Sequence, residues 1–590
     1  MMKPRKVIII GFDGFDPTIL EDMMGRGELP NFSKLAAQGS FNPMQTIFPP
    51  QSPVAWTTIA TGRPPVEHGI FDFLTLKAGE YSPQMTILRQ GKLTYVQPYQ
   101  SRTFWDIAAE NDIPCTILKW PLTFPATPTY GNILTGLGTP DILGTLGRYS
   151  FFTTNEVSGT EDKKGTITKV DVAQGMISAN LHGPIALSLG GNKPASTPLE
   201  IQLSEGKIIC HLSGQSFTLA AGEWSDWIHL DFKVGFMRKA KGMCRFYLES
   251  IAPEFNLYVT PINISCRSQS LPVSYPLGYA KRLAESIGNF ATLGLAEDAN
   301  ALNDRVIGEK GFLAGCDLIM AERERIFRHA LQDFQEGILA CVFDTPDRIQ
   351  HMFWRHLDRE HPAYHEPEAQ AFAQVIPDTY RRMDGILGEV MAVAGGDSLI
   401  MVCSDHGFTS FRWSVHLNTW LLQNGFMTLK EGCRASQALF QDVDWSKTVA
   451  FALGLNSLFF NLKGREPNGK LELAALPGVK EDLVRKLKGW MHQGKPVVKA
   501  INSLEGVSHQ NEHQSPDLIV GYDKGYRASW QTAVGGVPEG EVIEANLDKW
   551  SGDHCCDPEI VPAIFLSNEK NLLSKPDIKD IHPAILDYLK

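Results

Sequence analysis

Six short runs, rich in apolar and β-branched residues, recur along the chain, most of them closing on a polar or acidic residue. They are KVIIIGFDG at 6–14, PCTILKW at 114–120, ILACVFDTPD at 338–347, SLIMVCSDHG at 398–407, DLIVGYD at 517–523 and VPAIFLS at 561–567. A strand with one wet face alternates apolar with polar residues. These runs do not alternate, so both faces must be covered, as in a parallel sheet. Helical stretches lie between them, among them LIMAERERIFRHALQDF at 318–334 and TYRRMDGILGEVMAVA at 379–394. Strands alternating with helices predict an α/β domain with a mostly parallel sheet, whose ligand site belongs at the carboxyl ends of the strands.

The stretch 150–276 differs: short alternating strands are separated by Gly, Ser, Asn and Pro turns. It reads as an all-β insertion whose aromatics are core and edge residues of that module, which divides the chain into a core at 1–149 and 277–590 and a β-rich module at 150–276. With 590 residues and 43% hydrophobic content, the chain can bury a full core and an additional module. A net charge of −11 and the lack of a long basic run disfavour a nucleic acid polymer or an anionic membrane surface as partner, while leaving room for a small anionic substrate in a locally positive site. The early apolar run, Val7 to Ile10, is too short for a signal core, and no run is long enough to span a bilayer. The ten cysteines form no CxxC pair. Reduced thiols and a cytoplasmic location are therefore expected.

Ser52 precedes Pro53, and Val54, Ala55, Ile59 and Ala60 follow at helical spacing, so Ser52 reads first as an N-cap with Pro53 at the first helical position. Distant residues add a second reading. Asp13 follows the first strand, Asp405 and His406 are adjacent after another, Asp347 and His351 stand four apart, and His554 lies in WSGDHCC. Each has a structural explanation when taken singly, since an Asp at a strand end is a common turn former. The four-residue spacing, however, puts Asp347 and His351 on one helix face, convergent on one ion. Asp347, His351 and His554 suit an ion with an open position; Asp13, Asp405 and His406 suit a second ion whose remaining position is the Ser52 oxygen. Serine needs such activation at neutral pH, and the positive end of a helix adds to it. The free N–H groups of the helix start are expected to face an incoming phosphate.

This combination resembles the alkaline phosphatase superfamily, most closely its type I phosphodiesterase/nucleotide pyrophosphatase branch and the related prokaryotic phosphohydrolase and phosphomutase-like proteins. In that branch a nucleophilic Thr or Ser stands ten residues before the Gly of a Thr-Gly pair, with a His-Gly after it; Ser52, Thr61, Gly62, His68 and Gly69 fit. Pro346, Asp347 and His351 look like its Pro-Asp-x-x-x-His, Asp405, His406 and Gly407 like its Asp-His-Gly, Asp13 like its first acid and His554 like its late histidine. The resemblance implies a three-layer α/β/α core with a mostly parallel sheet, carrying the inserted all-β module. It also implies two divalent metal ions, zinc with manganese as the alternative. One would be held by Asp13, Ser52, Asp405 and His406, the other by Asp347, His351 and His554.

The sequence departs from the branch in places. The nucleotide pyrophosphatases carry an Asn three residues after the nucleophile, where this chain has Ala55, so nucleotide specificity does not carry over. Ser52-Pro53-Val54-Ala55 departs from the sulfatase pattern, and no alkaline-phosphatase-type clamping arginine maps onto the chain. Arg348 and Arg527 are candidates to clamp a phosphate, or else members of surface salt bridges. His416 and Asn418, in VHLNTW, are pocket candidates or parts of a turn. Asp344 competes with Asp347, which alone has the four-residue relation to His351. His68 reads as a structural hydrogen-bonding residue, and Cys555 and Cys556 read as buried thiols. The expected activity is hydrolysis of a small-molecule phosphate ester, monoester or diester, through a phosphoserine at Ser52. The alternatives are a phosphomutase using the same site and a metal-stabilised binding protein.

Overall fold

The first apolar run becomes β1 (Lys6–Phe12), followed by α1 (Pro17–Gly25), α2 (Pro30–Gln38), β2 (Ser40–Met44) and α3 (Ser52–Thr61). Later in the chain come β3 (Gly337–Phe343), α4 (Thr345–Phe353), α5 (Val375–Val393), β4 (Ser398–Cys403), β5 (Thr409–Val415), β6 (Gly552–Asp553), β7 (Ala563–Ser567) and α6 (Ile581–Leu589). The computed structural model describes residues 5–77, 79–91, 94–159, 163–186, 193–235, 238–504 and 514–590. The chain divides into two units, Met1–Pro114 with Gln335–Lys590, and Cys115–Phe334. All the elements labelled above belong to the first.

In that unit β1 lies between β3 and β4, parallel to both, with Ile8 in register with Leu339 and Ile400. β7 runs antiparallel beside β4 and carries β2 on its far side, so four of these five strands point the same way. Successive residues of β1 show that the sheet is covered on both faces. The Phe12 ring sits 6.0 Å from Phe32 of α2, whereas a Cβ on Gly11 would lie 2.5 Å from Cη2 of Trp56 in α3. Neighbouring side chains on a strand point to opposite faces, so α2 and α3 cover opposite sides. α5 joins the α2 side, where Tyr380 stacks on Phe15 at 4.0 Å and Asp384 accepts the backbone N–H groups of Asn31 and Phe32 at the start of α2. α6 joins the α3 side, where His582 Nδ1 donates to the Ala60 carbonyl at 2.9 Å. The result is the expected three-layer α/β/α arrangement with a mostly parallel sheet.

Two of the six apolar runs depart from expectation. The run at 561–567 supplies β7, the antiparallel strand. The run at 517–523 leaves this sheet altogether: Leu518–Tyr522 pairs with Ser457–Phe460 and Val498–Ser503 in a four-stranded antiparallel sheet over a second apolar cluster that includes Phe451, Phe459 and Phe460. An antiparallel strand covered on both faces has the same composition as a parallel one, so the pattern alone does not separate them.

In the second unit Cys115–Leu118 and Gly131–Leu134 pair in parallel. Every regular element described between Ser150 and Tyr275 is a strand. The largest hairpin set, Met176–Ala186, Lys193–Ser204, Lys207–Leu212 and Gln215–Ala220, turns Leu199, Ile201, Ile208, Cys210 and Leu219 into a core shared with Phe232 and Phe246. The predicted helix at 318–334 begins earlier and spans Glu309–Asp333, because Phe312 and Cys316 extend its buried stripe toward Gly308 at the N-cap. Among the described residues no helix is long and apolar enough to cross a membrane.

At Gly11 the packing of β1 against α3 admits no side chain. Gly11→Ala would press a methyl into Trp56 and Val342. The expected cost is about 1–3 kcal/mol, read as a lower midpoint in thermal unfolding; an unchanged midpoint would mean that Trp56 yields without loss.

Candidate active site

The carboxyl ends of the three parallel strands carry the acidic residues singled out above. Asp13 follows β1, its N–H still donating to the Phe343 carbonyl of β3 at 3.0 Å. Asp347 stands in the first turn of α4, one helix turn before His351, and Asp405 and His406 follow β4. His554 comes next after β6, which pairs with β5 through Asp553 and Thr409. All these residues are buried.

Ser52 does not occupy the predicted cap position. Gln51 is the N-cap, with extended backbone, and its carbonyl accepts the N–H groups of Val54 and Ala55 at 2.9 Å. Ser52 is the first helical residue and Pro53 the second. The shift has two consequences. Pro53 has no N–H, and those of Val54 and Ala55 are engaged by Gln51, so the expected amide cradle for phosphate is reduced at this helix start. The Ser52 hydroxyl, released from capping, turns to the acidic cluster, with Oγ 3.2 Å from His406 Nε2 and 3.5 Å from Asp13 Oδ1.

The ligand-type atoms of the residues singled out from the sequence form two close groups, Asp13 with Asp405 and His406, and Asp347 with His351 and His554, each within 4.8 Å; among the described residues Asp553, His554 and Cys555 form a third. The three histidines share one orientation rule. Nδ1 of His351 lies 2.7 Å from the Gly552 carbonyl, that of His554 2.6 Å from the Pro50 carbonyl, and that of His406 3.0 Å from the Gly407 carbonyl. A carbonyl only accepts, so each Nδ1 carries a proton, and each ring in its neutral form turns the lone pair of Nε2 inward. Opposite those lone pairs stand carboxylate oxygens. His406 Nε2 is 3.0 Å from Asp405 Oδ2, and Asp347 Oδ1 is 3.3 Å from His351 Nε2 and 3.7 Å from His554 Nε2. Asp405 Oδ2 and Asp347 Oδ1 are buried and accept no hydrogen bond. Acceptor facing acceptor in a buried site is what a divalent cation satisfies, and oxygen plus imidazole suits zinc or manganese. The residues present therefore fit two such ions.

The electrostatics of the protein atoms agree. Burial, then the nearby Asp405 and Asp347, push the Asp13 carboxyl well above the usual carboxylate range. Burial also acts on Asp347, but His351 and Arg348 outweigh it and hold that carboxyl low. Burial and the His406 ring, stacked on it at 3.5 Å, push His554 well below the usual histidine range. Burial lowers His406 too, but Asp405 overrides it and raises the ring.

The remaining candidates have definite partners. Arg348 Nη1 lies 2.7 Å from Asp347 Oδ2, a buried ion pair rather than a surface one, at the edge of the cluster. Arg527 is also buried, with Nε 2.8 Å from Asp553 Oδ2 and its guanidinium 3.8 Å over the Trp530 ring. His416 meets Ser529 Oγ at 2.9 Å and Glu544 at 3.2 Å. Asn418 donates to the carbonyls of Ala452 and Gly536 and accepts from the Ala452 N–H, which ties down the antiparallel sheet. None of these His416 and Asn418 contacts reaches the Ser52 cluster. His68 is structural: it accepts the Ile70 N–H at Nδ1, so Nε2 donates to Thr58 Oγ1 at 3.1 Å. Cys555 and Cys556 are buried thiols whose pKa burial raises.

Two neighbours of the cluster escaped the sequence reading. Trp56 donates Nε1–H to Asp13 Oδ2 at 3.0 Å; its signal was the four-residue helical spacing from Ser52. Asp553 accepts the N–H groups of His554 and Cys555 and the Trp550 Nε1–H; its signal was an Asp-His pair like that of Asp405 and His406.

The family profile that matches the chain places it among the phosphoric ester hydrolases. The chain belongs to the type I phosphodiesterase/nucleotide pyrophosphatase family, whose profile matches residues 7–186 and 281–533, well over half of the sequence. His554 lies beyond the matched segments. No curated protein sequence matches the chain. Solved structures similar to it include phosphonoacetate hydrolase from Sinorhizobium meliloti 1021 in complex with phosphonoacetate, 12% identical with a TM-score of 0.45 over 99% of this chain and 96% of that one. The alkaline phosphatase PafA is 12% identical with a TM-score of 0.44, covering 100% and 96%. Human ectonucleotide pyrophosphatase/phosphodiesterase 5 is 10% identical with a TM-score of 0.39, covering 99% and 94%.

Burial sets the pKa of His68 at about 3, against 6.5 for an exposed histidine. Between those values the unfolded chain binds a proton that the native protein does not. The stability His68 contributes is thus complete above pH 6.5 and is lost as pH falls toward 3. In urea unfolding at pH 7 and pH 5, His68→Gln should lose less stability between the two conditions than wild type. An equal loss would put this acid sensitivity elsewhere.

Proposed function

We propose that the chain hydrolyses a small-molecule phosphate ester by two successive in-line displacements, with Ser52 Oγ as the nucleophile. The observation that carries this reading is the pair of inward-facing ligand groups beside the Ser52 hydroxyl, each with a buried carboxylate oxygen that lacks a hydrogen bond. Asp13, Asp405, His406 and Ser52 would hold one divalent ion, and Asp347, His351 and His554 the other, zinc or manganese. When bound, such ions neutralise phosphoryl oxygens and favour the deprotonated form of the serine oxygen.

The chain's own groups have these roles. The first turn of α3 places Ser52 at the positive end of the helix, which favours a negatively charged oxygen there. Trp56 Nε1–H fixes one oxygen of Asp13, so that the other faces Ser52 and His406. The carbonyls of Pro50, Gly407 and Gly552 set the histidine rings. Arg348, the guanidinium nearest the cluster, is the favoured substrate contact and would meet a phosphoryl oxygen from the Asp347 side. The bonding pattern of Asn418 favours a structural role, and Arg527 and His416 are held by Asp553 and Glu544. In the first displacement Ser52 Oγ releases its proton to solvent and bonds to phosphorus as the ester P–O bond breaks, and the leaving oxygen takes a proton from solvent. In the second a water oxygen bonds to phosphorus as the Ser52 Oγ–P bond breaks, releasing the phosphoryl product. Positioning and charge stabilisation account for the rate.

The test is hydrolysis of p-nitrophenyl phosphate and bis-p-nitrophenyl phosphate after chelation and reloading with zinc or manganese. Ser52→Ala should lose at least about a thousandfold in rate while retaining its bound metal, and the preferred ester assigns monoesterase or diesterase activity. Cleavage that persists in Ser52→Ala, or that needs no metal, overturns the proposal.

A further inference from the structure

Gln51 and Asn456 are fully buried polar residues to which the sequence patterns assign no role. Gln51 directly precedes Ser52, yet its side chain does not cap α3. Its Nε2 donates to Asn456 Oδ1 at 2.8 Å, and its Oε1 accepts the Phe73 N–H at 3.0 Å. Asn456 uses both of its amide protons, one to the Val520 carbonyl at 2.8 Å and one to the Cys555 carbonyl at 3.1 Å. Its own backbone N–H donates to Asp72, as do the Leu455 N–H and the Ser457 hydroxyl, so the turn presenting Asn456 is itself clamped. Gly454, in that turn at φ +79°, leaves the space that Asp72 fills; a Cβ there would lie 2.6 Å from its carboxyl carbon.

These contacts close a ring. From Pro50 the carbonyl accepts His554 Nδ1–H; the chain continues from His554 to Cys555, whose carbonyl accepts from Asn456; Asn456 accepts from Gln51, which is bonded to Pro50. Three hydrogen bonds and two short backbone segments thereby join the start of the Ser52 helix to the loop that carries His554. Ser52 belongs to one ligand group and His554 to the other, so the ring spans the pair. Buried amides with all partners satisfied form a stiff network, whereas apolar groups of the same shape would fill the space without fixing the register of the two loops.

We propose that Gln51 and Asn456 are positioning residues that set the distance between the Ser52 oxygen and the His554 ring, and through them the second ion's place relative to the nucleophile. This rests on the reading of Ser52 and His554 given above. The test uses the full-length protein, chelated and then titrated calorimetrically with zinc or manganese, alongside steady-state hydrolysis of the two nitrophenyl esters. Gln51→Met keeps the volume and cuts the link between the loops together with the bond from the Phe73 N–H; Asn456→Ala cuts the ring from the other side. Gln51→Met should unfold cooperatively, bind the weaker ion about tenfold less tightly and lose about tenfold in kcat with KM unchanged, the range expected when an outer partner of a metal ligand is removed. Combined with Asn456→Ala it should lose little more than Asn456→Ala alone, because both cut one ring.

A purely structural role predicts lower thermal midpoints that add in the double variant, with metal affinity and kcat as in wild type, and that result overturns the inference. Should Asn456→Ala fail to fold, the metal titration of Gln51→Met decides alone. A wild type that takes up no metal overturns the proposed function and this inference together. A wild type that is loaded and active, with Gln51→Met indistinguishable from it, overturns this inference only.

Discussion

Mutual repulsion among buried carboxylates governs this molecule. Parallel strands bring their carboxyl ends to one edge of the sheet, and here three of them bring Asp13, Asp347 and Asp405 together as buried side chains. Anions so placed are costly unless paired. Set against them are the guanidinium of Arg348 and three imidazoles whose Nδ1 protons point away, toward backbone carbonyls. The protein is thus built around a deficit of positive charge. The raised Asp13 and raised His406 record that deficit in protons, and the same deficit gives the cluster its affinity for divalent cations.

Ser52 takes its character from a displacement of one residue. Had it been the N-cap, its hydroxyl would have accepted a helix N–H and faced the backbone. With Gln51 in that position the backbone carbonyl meets the need, and the serine hydroxyl is left for chemistry. Proline at the second helical position fits the same economy, because it removes a donor that would otherwise need a partner among buried groups.

The sequence was most readable where the deciding interaction is local. The four-residue spacing of Asp347 and His351 puts both on one side of α4 whatever the rest of the chain does, and an acid after a buried parallel strand is bound to emerge at the ligand edge. Long-range pairing was not readable. The run 517–523 has the composition of a central parallel strand and lies instead in the antiparallel sheet, since burial of both faces and not strand direction sets that composition. Arg527 and Asn418 were candidates for the pocket, yet their partners are Asp553 and the Ala452 backbone, choices made by tertiary contacts. Trp56 was hidden by its type: an indole in an apolar helix reads as core, and it is core against Gly11 while its N–H serves Asp13.

The histidines are aimed by main-chain carbonyls at Pro50, Gly407 and Gly552, and a carbonyl belongs to every amino acid. The aiming information therefore resides in the path of the backbone and leaves no letter in the sequence. Substitutions at Pro50 that preserve the local dihedral angles would be silent for the His554 ring, while a distant insertion that tilts the same peptide plane would misdirect it with every motif residue intact. Motif matching detects the ligands of such a site but is blind to whether they are pointed correctly, so a relative could keep the full signature and still have lost its chemistry.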